Sequence, residues 1–184
     1  MTSIFIMRNI LCILFLIFLG NTFSYSQSDL VTIPSNTITK VSAQLFDPDS
    51  LIHHAAKFIG KRYKYRGTSP KTGFDCSGFV LYNFRRYKII LPHSSYEQIK
   101  YGEQIEKNEA KAGDLIFFKG RSTKSKMAGH VGIVISVTEN VVKFIHSSTS
   151  LGVRYDYTNA NYYKIRFLGI RRLTKETIVL TKNR

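Results

Sequence analysis

The chain has 184 residues, of which 43% are hydrophobic, and its 27 Lys and Arg against 12 Asp and Glu give a formal net charge of +15 at pH 7. This length suits a single domain with a sizeable core. So basic a chain attracts polyanions, but it contains no nucleic-acid recognition motif, and we expect no nucleic-acid partner. The charge is spread along the sequence, so it fits contact with an anionic envelope surface as well as it fits plain solubility.

The first 26 residues have the pattern of a secretory signal peptide. Arg8, their one charged residue, precedes an apolar run over 10–19, which is short of the roughly 20 residues that a membrane-spanning helix needs. Ser24 and Ser26 supply the small residues of a cleavage site. We therefore predict a signal peptide over 1–26 and export to the periplasm, the cell envelope or the medium, with an uncleaved anchor as the alternative. Cleavage would remove the charge of Arg8 from the total of +15 and leave +14.

Three helices are predicted after a polar tether over 27–46. The first opens at Asp47-Pro48-Asp49-Ser50, carries an apolar stripe from Leu51 to Ile59 and closes at Gly60. The second begins near Cys76 and runs to about Tyr87. Ser94 and Glu97 form a capping-box pattern for a third short helix that ends near Tyr101.

The rest of the chain reads as strands. Short apolar or β-branched runs cover 115–118, 130–137, 141–146, 153–157 and 163–171, and Thr138-Glu139-Asn140 reads as a hairpin loop. Helices followed by antiparallel strands predict an α+β fold rather than alternating α/β. We place one domain at 47–175 and a C-terminal tail at 176–184.

Cys76 is the single cysteine that remains after the signal peptide, because Cys12 lies inside the apolar run. Exported proteins normally pair their cysteines, so a lone thiol points to a role other than a disulfide. Asp75 is a good N-cap, which puts Cys76 in the first turn of a helix, where the dipole can lower a thiol pKa from about 8.5 to roughly 3.5–7.5. Backbone N–H groups near Ser77 and Gly78 are candidate oxyanion donors. A small buried core cysteine is the alternative.

His130 and His146 lie on the two strands of the predicted hairpin. With an odd number of loop residues, even-numbered positions face even-numbered ones, so the two imidazoles would be neighbours on one face of the sheet. One histidine could then take the thiol proton while the other orients it. His53, His54 and His93 lack such a context. No Cys-x-x-Cys or His-Glu-x-x-His spacing occurs, and we expect neither a metal site nor a cofactor.

These segments together resemble the NlpC family of bacterial cell-wall cysteine peptidases. The resemblance runs over about residues 50–173 and rests on the runs 74–80, 91–98, 113–118, 129–133, 144–148 and 163–172. It implies a papain-like α+β fold in which the nucleophile begins a helix packed on an antiparallel sheet. It also implies that Cys76 is the nucleophile, His130 the base and His146 the orienting third residue. The implied reaction is hydrolysis of amide bonds in peptidoglycan stem peptides or cross-links, in cell-wall remodelling.

The resemblance also implies a substrate-binding set. Tyr63 matches a tyrosine that lines the cleft, and Asp75 and Ser77 match positions that contact a substrate amine in some members. Capping of the helix is the alternative role for Asp75. Where members often have two glycines, this chain has Arg66-Gly67, a departure at the rim of the cleft.

Two other functions stay open at the level of sequence. A relative without activity would act only as a wall-binding module, and an acyltransferase or amidase could use the same nucleophile on the same scaffold. We expect a monomer. The sequence does not decide which stem-peptide bond is cut, nor whether the role is growth, recycling or attack on rivals.

Overall fold

The computed structural model describes residues 47–174. The predicted signal peptide, tether and tail lie outside the described residues, so those boundaries stay predictions. Within 47–174, no helix has the length and apolar character needed to cross a membrane.

Three helices precede most of the sheet. Helix α1 (Pro48–Ala56) begins where the sequence predicts, because the Asp47 carboxylate accepts hydrogen bonds from the backbone N–H groups of Asp49 and Ser50, both at 3.2 Å. Strands β1 (Thr68–Ser69) and β2 (Gly73–Phe74) form a small hairpin that leads into helix α2 (Cys76–Arg85). Helix α3 (Ser95–Gln98) follows.

The capping box predicted for α3 is wrong. Ser94 occupies the N-cap position but its side chain makes no capping hydrogen bond. Tertiary contacts hold this short helix instead: Ser95 Oγ donates to the carbonyl of Ala128, and Gln98 Nε2 donates to the carbonyls of Ser77 and Pro92. The helix is therefore a bridge between α2 and the sheet.

A six-stranded antiparallel sheet forms the second half of the domain. Its spatial order is β3-β8-β4-β5-β6-β7. The strands are β3 (Glu103–Ile105), β4 (Leu115–Lys119), β5 (Ala128–Thr138), β6 (Val141–Ser148), β7 (Gly152–Tyr157) and β8 (Phe167–Arg172). Sequence patterns predicted all of these except β3.

One predicted strand is partly helical. Residues 163–171 were expected to be extended, but Asn161–Lys164 forms a short helix, α4, and β8 begins only at Phe167. Tyr163 on α4 packs its ring against Phe118 and Phe144. The aromatic residue that suggested a strand therefore covers one face of the sheet from a helix.

Strand β4 is buried on both faces, which explains why its four residues from Leu115 to Phe118 are all apolar. Leu115 and Phe117 pack with residues of α1 and α2, in a cluster with Val131 and Ile145. The alternate residues of β4 pack on the other side in a second cluster, which includes Val134, Phe144 and Tyr163. Each face of the sheet thus has its own core.

The β5–β6 hairpin has a different register from the one predicted. Its loop is the two-residue pair Glu139–Asn140, both with positive φ (49° and 64°), and Thr138 pairs with Val141. Near this loop even-numbered residues therefore pair with odd-numbered ones. A β-bulge between Val134 and Ser136 shifts the register by one residue, so that Val134 pairs with Phe144. The prediction of a loop with an odd number of residues was wrong. The bulge nevertheless makes even-numbered residues pair with even-numbered ones in the part of the hairpin that carries the histidines.

Candidate active site

Cys76 is the first residue of α2, as predicted. Asp75 has extended backbone angles (φ −86°, ψ 176°), and its Oδ1 accepts a hydrogen bond of 2.6 Å from the backbone N–H of Gly78. The backbone N–H of Asp75 donates to the carbonyl of Gly67 at 3.0 Å. This cap turns the chain from β2 into the helix and fixes the position of the thiol at the helix N-terminus.

The thiol pKa moves in the direction opposite to the prediction. Burial raises the pKa of the Cys76 thiol to about 11, and the negative charge of Asp75 adds to the rise. Backbone N–H groups of Val131, Ser77 and Cys76 itself act in the other direction but do not outweigh burial. The prediction of a depressed thiol pKa is therefore wrong. Desolvation disfavours the thiolate more strongly than the hydrogen bonds at the helix N-terminus favour it.

The two histidines are neighbours on one face of the sheet, as predicted. Nε2 of His130 and Nδ1 of His146 are 2.7 Å apart, and the rings are nearly perpendicular. His146 is fully buried. Burial, followed by repulsion from His146, lowers the pKa of His130 to about 3, and burial also lowers the pKa of His146. Both imidazoles are neutral near pH 7.

A glycine makes room for this pair. A Cβ built on Gly132 would lie 3.0 Å from the carbonyl oxygen of Ile145, 2.9 Å from Cδ2 of Phe144 and 3.1 Å from Cβ of His146. Any side chain there would push β5 away from β6. Gly132 therefore sets the close approach that brings His146 to His130.

Asp156 on β7 extends the pair, and the sequence analysis missed it. Its Oδ2 lies 2.8 Å from Nε2 of His146 and accepts a hydrogen bond of 3.0 Å from the Tyr163 hydroxyl. Arg154 forms an ion pair with Oδ1 at 3.1 Å. A signal for Asp156 existed in the sequence: it is an acidic residue at an even position of a predicted strand next to β6.

The hydrogen-bond chain fixes which ring nitrogens carry protons. Burial opposes ionisation of Asp156, but hydrogen bonds from His146 and Tyr163 outweigh it and lower the pKa of the carboxyl. An ionised Asp156 only accepts, so Nε2 of His146 carries a proton and its Nδ1 is an acceptor. Nε2 of His130 must then donate to His146. Nδ1 of His130 consequently holds the free lone pair, which a general base requires.

Cys76 and His130 belong to two elements that pack against each other. Helix α2 packs against β5, and the thiol interacts with the backbone N–H of Val131, the residue after His130. Among residues 47–174, no hydrogen bond joins the Cys76 thiol to His130. Catalytic hydrogen bonds are often long in free enzymes and tighten with substrate, so the pairing stays a prediction.

Asp75 and Ser77 have partners inside the protein. Asp75 is 7% exposed; its Oδ1 also accepts from the Ser77 hydroxyl at 3.0 Å, and its Oδ2 lies 2.9 Å from Nε2 of His93. The capping role of Asp75 is thus present in the structure, and an amine-binding role stays a prediction. His93, which had no context in the sequence, is a hydrogen-bond partner of Asp75 at the helix start.

Tyr63 lies near Cys76. Its backbone forms an isolated bridge with Phe74, two residues before Cys76. Burial raises the pKa of the Tyr63 hydroxyl, and the charges of Cys76 and Asp75 contribute further. Arg66, the departure noted in the sequence, has φ of 55°, a conformation that favours glycine.

No metal centre is evident in the described part of the chain. Residues 47–174 contain no group of three or more His, Cys, Asp or Glu side chains arranged to hold a metal ion.

The fold and the site define a class of protein. A nucleophile-type cysteine at a helix start, packed against an antiparallel sheet that carries two histidines, is the papain-like α+β architecture. The model of the NlpC/P60 family matches residues 60–172, and the chain belongs to this family.

Proteins similar to this chain include two named as endopeptidases and a solved structure of an NlpC/P60 family protein. The chain is 40% identical over 119 residues to the murein DD-endopeptidase MepS/murein LD-carboxypeptidase of Escherichia coli, which is 64% of this chain and 58% of that protein. It is 32% identical over 125 residues to the bifunctional muramidase/DL-endopeptidase CwlT of Bacillus subtilis, covering 68% of this chain and 36% of that one. A crystal structure of an NlpC/P60 family protein from Bacillus cereus aligns with a TM-score of 0.62 and 32% identity, over 69% of this chain and 40% of that chain. The chain thus spans between about a third and three-fifths of the length of these relatives.

Proposed function

We propose that this protein is a cysteine endopeptidase that hydrolyses amide bonds in peptidoglycan stem peptides or cross-links. The chain of contacts from His130 through His146 to Asp156, beside the helix that begins with Cys76, is the observation that carries the proposal. Relatives named as a murein DD-endopeptidase and a DL-endopeptidase support the substrate class. We propose a role in cell-wall remodelling on that substrate.

The proposed reaction has two halves. The thiol proton passes to Nδ1 of His130 as Sγ attacks the amide carbonyl, so a C–S bond forms and the carbonyl oxygen becomes negative. The backbone N–H of Gly78 already donates to Asp75, so the remaining backbone N–H groups at the start of α2 would stabilise that oxygen. Protonated His130 then gives its proton to the leaving nitrogen, the C–N bond breaks and a thioester remains. Water, deprotonated by His130, hydrolyses the thioester and regenerates the thiol.

Orientation of the base would come from His146 and Asp156. The carboxylate of Asp156 fixes the tautomer of His146, which in turn accepts the proton on Nε2 of His130. This arrangement leaves Nδ1 as the basic nitrogen at every turnover. We therefore assign Cys76 as the nucleophile, His130 as the base and His146 as a positioning residue, with Asp156 behind it.

Tyr63, Asp75 and Ser77 are proposed to line the acyl side of the cleft. The electrostatic coupling of Tyr63 with Cys76 supports its place beside the nucleophile. Contact of a substrate ammonium group with Asp75 would compete with His93, which now occupies Oδ2. Cleavage between D-glutamate and the diamino acid, or at the D-alanyl cross-link, are both compatible with this cleft.

We also propose that the protein is exported and acts in the cell envelope as a monomer. The apolar run over 10–19 and its cleavage pattern support export. A mature chain at +14 would bind intact sacculi partly through charge, so binding should weaken as salt rises past about 0.15 M.

Digestion of purified sacculi tests the proposed function. The wild-type protein should release peptide-bond products, seen by mass spectrometry of muropeptides, and leave glycan strands uncut. Cys76→Ser should unfold at nearly the same temperature and lose nearly all hydrolysis. Full activity in Cys76→Ser, or shortened glycans as the sole product, would contradict the proposal; acyl transfer products without hydrolysis would favour the transferase alternative.

A further inference from the structure

A basic pocket adjoins the two histidines. It has a volume of about 650 Å³, and His130 and His146 form part of its wall. Four cationic side chains line it, against one carboxylate: Lys119, Arg121, Arg154 and Arg166, with Asp156. Asp156 is already engaged by His146, Tyr163 and Arg154. The positive charge of the pocket is therefore not neutralised within the protein.

The cations differ in how tightly the protein holds them. Arg166 stacks on the ring of Tyr162 at 4.0 Å and donates to the carbonyls of Gly120 and Tyr162, which fixes its guanidinium. Lys119 Nζ donates to the carbonyl of Thr123. Arg121 is exposed, and within residues 47–174 its side chain has no hydrogen-bond or ion-pair partner. The fork of a guanidinium matches a carboxylate in two parallel hydrogen bonds.

The position of the pocket indicates which half of the substrate it meets. His130 hands a proton to the leaving nitrogen, so the leaving half must lie beside His130. Gly129, the residue before His130, also lines the pocket, and it packs so closely on Gly120 that a Cβ there would lie 2.5 Å from the Gly120 Cα. The pocket therefore adjoins the histidine that is proposed to serve the leaving group.

We propose that this pocket is a subsite for a free carboxylate on the leaving half of the substrate, close to the scissile nitrogen. The inference rests on the proposed function and deepens it. At both bonds named above, the leaving nitrogen belongs to a diamino acid. Where that residue is a diamino dicarboxylic acid, one of its carboxyl groups stays free unless it is amidated. The enzyme would then distinguish substrates by the carboxyl state of that residue.

A matched pair of peptides tests the proposal. The two carry the same scissile bond, one with a free carboxylate and one with a carboxamide on the leaving diamino acid. Wild-type kcat/KM should favour the free acid by about tenfold, since a charge-assisted contact is lost in the amide. Arg121→Gln should reduce this ratio to within about threefold of one, and Arg121→Glu should favour the amide. Arg86→Gln removes one exposed charge outside the pocket and should keep the wild-type ratio.

Equal rates for both peptides in the wild type, or the same ratio in Arg121→Gln as in Arg86→Gln, would overturn the inference. Hydrolysis of neither peptide would count against the proposed function instead. In that case, calorimetric binding to Cys76→Ala decides the subsite: tighter binding of the free acid, lost in the double variant with Arg121→Gln, supports it. Equal binding of acid and amide overturns it.

Discussion

Cys76 and His130 form a neutral thiol and a neutral imidazole in the resting protein. Burial raises the pKa of the thiol to about 11 and lowers that of His130 to about 3. An ion pair would need these two values in the reverse order. Proton transfer would therefore accompany attack on the substrate, as general-base catalysis, instead of preceding it.

The rate of alkylation measures the fraction of Cys76 that is present as thiolate. Iodoacetamide reacts with the thiolate, so labelling of Cys76 in the free protein should be slow at pH 6–7 and accelerate above pH 9. Mass spectrometry of the intact protein gives the rate, and the unfolded protein, with an ordinary thiol pKa near 8.5, is the control. Rapid labelling at pH 6 in the folded protein would show a preformed ion pair.

In the proposed mechanism Asp156 acts through His146, so its loss should affect the orientation of the base more than folding. Asp156→Asn keeps the shape but can donate to Nε2 of His146, which favours the wrong tautomer. We expect kcat to fall by about tenfold or more with KM little changed. Asp156→Glu should recover part of the activity. A change confined to KM would contradict a positioning role.

Strand β5 does more than carry His130. With the two-residue loop alone, the pairing of β5 with β6 would be shifted by one residue, and the bulge near Ile135 removes that shift. A shift of one residue would move every side chain to the other face of the sheet. Gly132 then allows β6 to approach. The histidine pair depends on both features of a single strand.

Gly132→Ala tests the close approach between β5 and β6. The added methyl group meets backbone and ring atoms at about 3 Å, so we expect a loss of roughly 1–3 kcal/mol in the free energy of unfolding. Activity should fall further than stability alone explains, because His146 moves from His130. Gly120→Ala is the matched control for stability, since a Cβ there would lie 3.4 Å from its nearest neighbour, the Gly129 Cα. Equal effects of the two changes would show that Gly132 has no special role.

At the scale of the whole molecule, a sheet with a core on each face buries His146 fully and His130 partly. Both histidines have ordinary pKa values near 6.5 when unfolded. Their folded pKa values are lower, so the unfolded state binds more protons as the pH falls. The stability that these groups contribute is complete above pH 6.5 and is lost progressively towards pH 3.

Thermal unfolding should show this loss. We expect the Tm to fall between pH 7 and pH 4.5, and to fall less in His130→Gln, where one depressed histidine is gone. His53→Gln, at an exposed position of α1, should keep the wild-type pH dependence. A slope that is identical in all three proteins would mean that His130 is not buried as a neutral group.

Local signals in the sequence determined much of this protein. A capping residue before Cys76, period-two apolar residues around His130 and His146, and Gly or Pro between segments depend on neighbours a few positions apart. They predicted the helix start and most of the order of helices and strands, and the family resemblance added the cleft. The shared face of the two histidines was predicted from an odd-numbered loop that the structure does not have, and the bulge in β5 supplies that parity instead. What only the tertiary structure decided depends on distant segments. The raised thiol pKa comes from burial against β5, Asp156 reaches His146 across strand pairing, His93 meets Asp75 from another loop, and the basic pocket gathers side chains from five segments of the fold. Burial and electrostatic coupling depend on the distances that folding creates between such segments, and no local pattern contains those distances.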